Sequence, residues 1–111
     1  MVTLTNVGTS YDAIAASKGL GICLIDFTGK TSLTLAVYRN RIGTGTLSWQ
    51  VWNVTNAAEI AVITDSGATG DLLVQQTFAI SLTGVKMVRI RCKSTVAGDD
   101  PVYYDGTILV S

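Results

Sequence analysis

The sequence predicts an all-β protein: an antiparallel β-sandwich of jelly-roll type, with about eight strands in a single domain over 1–111. Three observations carry this. Threonine, valine and isoleucine dominate, while glutamate occurs once, at Glu59. β-branched side chains lose χ1 freedom in helices and pack well on a pleated sheet. Strand-length apolar or alternating segments recur at regular spacing between polar turns, the pattern of a sandwich. No segment shows a helical period with caps at both ends, and Tyr11 to Ser17 offers at most one short turn.

The strands follow in order. Val2 to Asn6 reads as an edge strand. Leu20 to Phe27 is apolar on both parities, as expected for a central strand buried on both faces. Thr31 to Ile42 alternates at Leu33, Leu35 and Val37. Gly43-Thr44-Gly45 then reads as a hairpin connection into Thr46 to Val54. Glu59 to Thr64 ends at the turn-rich Asp65-Ser66-Gly67-Ala68-Thr69-Gly70. Leu72 to Leu82 holds one bulged strand or two short ones, and Thr83-Gly84 turns into Lys86 to Lys93. The loop Ser94 to Pro101 precedes a last strand, Tyr103 to Val110.

Composition removes whole classes of function. Eight basic and eight acidic side chains give no net charge, and charged residues make up 14% of the 111. The usual share is about 25%. An apolar fraction of 48% excludes intrinsic disorder. The absent net charge argues against nonspecific nucleic-acid binding and removes the self-repulsion that keeps proteins apart. With no histidine, the commonest general base and metal ligand is missing, so no Ser-His-Asp set exists. The chain is read as a non-enzyme without cofactor or metal. No basic start followed by an apolar run marks a leader, and no uncharged apolar stretch reaches membrane-spanning length. A cytoplasmic origin makes Cys23 and Cys92 two small buried side chains rather than a disulfide. In that setting the Asn53-Val54-Thr55 sequon carries no meaning.

Five constellations offer sites. In Lys86 to Lys93, Val88, Ile90 and Cys92 share one face while Arg89, Arg91 and Lys93 share the other. Arg39 and Arg41 form a second basic pair. Both groups are either solvated faces or a docking surface for an acidic partner. Arg91→Ala is accordingly expected to weaken docking while sparing the melting temperature. Trp49 and Trp52 have opposite parity, which assigns Trp49 to the core and Trp52 to the outside. Trp52 with Tyr103 and Tyr104 would form an aromatic platform for a sugar. Asp99, Asp100 and Asp105 could bind calcium, although Asp-Asp-Pro serves equally as a turn. Asp65-Ser66-Gly67-Ala68 matches the core motif of retroviral-type aspartic proteases over four residues, but Thr64 precedes it where that family has an apolar residue.

The length, the strand content, and the segments Gly45-Thr46-Leu47-Ser48-Trp49-Gln50-Val51 and Gly84-Val85-Lys86-Met87-Val88-Arg89-Ile90-Arg91 give a resemblance to one family. The chain resembles the small staple, or decoration, proteins on capsids of short-tailed epsilon-fifteen-type bacteriophages. That resemblance implies a jelly roll like those of carbohydrate-binding modules. It also implies a place on the outer capsid surface, tying neighbouring major capsid protein subunits together after synthesis in the host cytoplasm. Self-association as a dimer, a draping arm over Met1 to Ser10, and no nucleic-acid or membrane partner complete the expectation. Many weak contacts around a shell add up because each bridge makes the next contact intramolecular. The docking residues expected are Arg39, Arg41, Arg89, Arg91, Lys93 and Trp52. The alternative is a carbohydrate-binding module, and the third reading is the dimeric protease.

Overall fold

The structure is a computed structural model that describes residues 2–3, 22–96 and 101–111. Eight strands run in the order β1 (Val2–Thr3), β2 (Ile22–Asp26), β3 (Ser32–Arg41), β4 (Leu47–Asn53), β5 (Ala58–Asp65), β6 (Gly70–Ala79), β7 (Val85–Ser94) and β8 (Val102–Val110). They form two four-stranded sheets, β1-β8-β3-β6 and β2-β7-β4-β5, and every pairing is antiparallel. Among the described residues, only β4 and β5 are consecutive strands that pair, and every other pair of consecutive strands lies in different sheets. That connectivity is a jelly roll.

Alternation builds the core. Leu33, Leu35 and Val37 of β3 face Leu47, Trp49 and Val51 of β4, with Ile63, Val88, Ile90 and Cys92 filling the layer between the sheets. Phe27, just past β2, closes one end. Leu33 and Leu35 of β3 and Leu47 and Trp49 of β4 alternate with Ser32, Thr34, Ser48 and Gln50, so a one-residue slip would expose the apolar set.

Several sequence expectations change. Gly43-Thr44-Gly45 does not close a hairpin, because β3 and β4 lie in different sheets. Gly43 instead takes a positive φ of 113° where the chain crosses over. Of the expected central strand over 20–27, the described part, β2, is an edge among the described residues, with Ile22 and Leu24 facing outward and exposed. Its two-sided apolar pattern marks an open surface. Residues 70–79 form one strand whose pairing with β3 runs without a register shift. Cys92 is buried and Cys23 exposed, and both are free thiols. Burial pushes the Cys92 thiol up, with the charge of Asp65 acting in the same direction. Of the expected arm, Val2–Thr3 pairs with Tyr103 and Val102 of β8. The rest of the arm, and the turn expected at 11–17, lie outside the described residues.

Candidate functional site

Three clusters concentrate chemistry, and the first is structural. Arg39 follows Leu33, Leu35 and Val37 on the inward parity of β3 and is 0% exposed. Its Nε donates to Asp65 Oδ2 and its Nη2 to Asp65 Oδ1, both at 2.7 Å, while Nη1 donates to the carbonyls of Ala68 and Gly70. Trp49 Nε1 and the Gly67 amide add donors to the same carboxylate. Burial disfavours the charged carboxylate, yet the hydrogen bonds from Arg39, Trp49 and Gly67 and the Arg39 charge outweigh it and hold Asp65 below the usual range.

This geometry corrects two readings. Asp65 has both oxygens committed to donors of its own chain, so Asp65-Ser66-Gly67-Ala68 is a pinned turn and not half of a proton-sharing dyad. Arg39 is corrected from docking residue to interior counter-charge. Arg41, half-buried, donates through Nε and Nη2 to the Gly45 carbonyl and through Nη1 to that of Gly67. It ties two loops together at the same end of the sandwich.

The second cluster is the outer face of the β2-β7-β4-β5 sheet. Val88, Ile90 and Cys92 are buried, so Arg89, Arg91 and Lys93 are directed to the other side. They are not freely solvated. Arg91 is only 6% exposed: its Nε donates to Gln50 Oε1 at 2.8 Å, and its guanidinium lies 3.9 Å from the Trp52 ring centroid. Gln50 Nε2 donates onward to Glu59 Oε1. Arg89 and Lys93 are half-buried. Truncating Arg91 would strand the buried Gln50 carbonyl at a cost of about 1–3 kcal/mol. The expectation that Arg91→Ala spares the melting temperature is therefore corrected. Parity also places Val85 and Met87 on this face, opposite Asp26 and Leu24 of β2, while Ile22 pairs with Arg89. Ile22, Leu24, Val85 and Met87 are all exposed, Leu24 by 68%. The sequence signal existed, because Val85 and Met87 share the parity of Arg89.

The third cluster lies on the outer face of the other sheet. The pairing of β3 with β8 shifts register between Tyr38 and Arg39, so Tyr38 opposes Asp105 and Arg39 opposes Tyr103. Tyr104 is the extra residue. Tyr103 therefore turns inward, 6.1 Å from the Trp49 ring, and burial followed by the charge of Asp105 pushes its hydroxyl up. Tyr104 meets Tyr38 at 5.0 Å and 32°, and its hydroxyl bonds Asp71 Oδ1 at 3.0 Å. The expected platform of Trp52, Tyr103 and Tyr104 is not assembled: Trp52 stands on the opposite sheet, and Tyr103, partly buried, packs against the core. Asp105 is exposed, and Asp99 and Asp100 lie outside the described residues. Among the described residues no group of three or more Cys, Asp or Glu could hold a metal ion.

The fold has relatives among solved structures. A CBM4 carbohydrate-binding module matches with a TM-score of 0.55 at 10% identity, covering 99% of this chain and 94% of that one. The two share the jelly-roll architecture. The C-terminal domain of EclA, a sugar-binding protein, gives 0.48 at 15% identity, over 95% of this chain and 69% of its own. The CBM22-1 xylan-binding domain of Paenibacillus barcinonensis Xyn10C gives 0.42 at 14%, over 78% and 62%. No protein-family model and no curated protein matches the sequence.

Proposed function

We propose that the chain is a noncatalytic recognition module that docks on a protein shell through the outer face of β2-β7-β4-β5. The role is the one implied by its resemblance to phage staple proteins: bridging neighbouring major capsid protein subunits on the virion surface, with self-association as a dimer. The observation that carries it is the exposed apolar group Ile22, Leu24, Val85 and Met87, bordered by Arg89 and the Arg91–Trp52 stack. Methionine, tryptophan and arginine are enriched where proteins meet, and a desolvated apolar centre with a polar rim supplies most binding energy. The test is attachment of the purified protein to shells lacking it. Wild-type protein is expected to bind and raise the shell melting temperature, while Leu24→Lys keeps its own fold and fails to bind. Absence from purified virions, or unaltered shell stability, overturns the reading.

Carbohydrate binding is the second reading, favoured by the Tyr38–Tyr104 pair beside Asp71. The fold serves both readings, since the resemblance to staple proteins implies the same jelly roll. Saturable binding in a glycan titration separates them.

A further inference from the structure

We propose that the outer face of β1-β8-β3-β6 carries a binding site for a neutral pyranose, a site separate from the docking face and resting on the carbohydrate reading. A hollow of about 130 Å³ opens there, lined by Ala36, Tyr38, Leu73, Asp105, Gly106 and Thr107. It exists because Ala36 is small where β3 passes beneath the taller Tyr38 and Leu73, and the backbone of Gly106 on β8 adds to its floor.

Its walls present the two surfaces that a sugar ring needs. Tyr38 is 42% exposed and offers an aromatic wall for the apolar C–H face of a pyranose. Tyr104 stands against Tyr38, and the hydroxyl bond of Tyr104 to Asp71 fixes that support, so little side-chain freedom remains to be lost on binding. Asp105 and Thr107 supply acceptors, and a carboxylate accepting from a sugar hydroxyl makes a charge-assisted bond.

Charge selects the ligand class. The cations of β3, β6 and β8 are Arg39 and Arg41, and both are turned to the end loops. The face therefore carries the carboxylates of Asp71 and Asp105 with no opposing cation on its strands. Uronic and sialic acids would meet like charge, whereas a neutral ring would not.

Calorimetric titration of the full chain with neutral gluco-, manno- and galacto-oligosaccharides, and with oligogalacturonate and sialyllactose, tests this. Binding is expected for a neutral sugar and not for the acidic ones. Tyr38→Ala should weaken it by about tenfold, the equivalent of one aromatic contact. Leu73→Glu, an exposed position whose longer acid crowds the hollow, should do the same if Tyr38→Ala perturbs folding. Trp52→Ala should leave it unchanged. Sugar binding lost with Trp52→Ala but kept in Tyr38→Ala and Leu73→Glu would overturn this site and leave the carbohydrate reading standing. Preference for the acidic sugars would overturn the ligand class. No titration with any sugar would overturn both the site and the reading beneath it.

Discussion

Asp65 shows how a single carboxylate can resemble a catalytic motif and serve the fold instead. Its side chain and that of Arg39 are 1% and 0% exposed, so each charge depends on the other. Replacing a buried pair by apolar groups is often harmless, but removing one partner leaves an uncompensated charge. Asp65→Asn keeps the shape and strands Arg39, and is expected to lower stability by about 3–5 kcal/mol in urea unfolding at neutral pH. The sign with pH follows from the depressed carboxyl. Its contribution is complete above the unfolded value and is lost as pH falls through the lower folded one, so the wild type should weaken in acid. Asp65→Asn should lack that part of the acid loss, and an identical acid slope in both proteins would contradict the assignment. The alternation Leu33, Leu35, Val37 carries Arg39 to the inward parity of β3, although the sequence reads it as a docking pair with Arg41. Its partner was not legible, because β3 and β5 belong to different sheets and no local spacing joins positions 39 and 65.

Among the elements, strand positions were legible and strand neighbours were not. Alternation located β3, β4 and β7 within a residue or two, since side-chain period depends only on the local chain. Pairing depends on which sheet each connection returns to, so a glycine-flanked crossover at 43–45 looks like a hairpin. The consecutive pair β4 and β5 has its own local strain. Ala57 ends that turn with φ of 51°, the left-handed region, while Asn53 holds the turn through its side-chain bonds with Asn56. A non-glycine residue there costs roughly 1–2 kcal/mol. Glycine removes this cost but adds about 0.4–1 kcal/mol of unfolded-chain entropy. Ala57→Gly is therefore expected to stabilise the protein modestly, by up to about 1 kcal/mol in thermal unfolding. A clear loss of stability would place the strain elsewhere. The bulge at Tyr104 shows the same limit, since one unpaired residue reverses which tyrosine faces out and no periodicity marks it.

For the whole molecule, the sandwich gives its two outer faces different characters. Arg89, Arg91 and Lys93 stand on one outer face, and Asp71 and Asp105 on the other. A basic stripe alone would make docking an electrostatic attachment. The structure weighs against that, because Arg91 is engaged with Gln50 and Trp52, whereas Ile22, Leu24, Val85 and Met87 remain open. Rim charge pairs contribute about 0–1 kcal/mol each, whereas burying one leucine-sized side chain contributes about 1.5–3 kcal/mol. Raising salt from about 0.1 M to about 1 M shortens the screening length from about 10 Å to about 3 Å, weakening charge pairs and sparing apolar burial. Shell attachment is therefore expected to change little across that range in a sedimentation assay, and Leu24→Lys is expected to fail at every salt concentration. An attachment that falls steeply with salt in the wild type, with Leu24→Lys binding as well or better, would return the docking energy to the arginines and leave the apolar group a bystander.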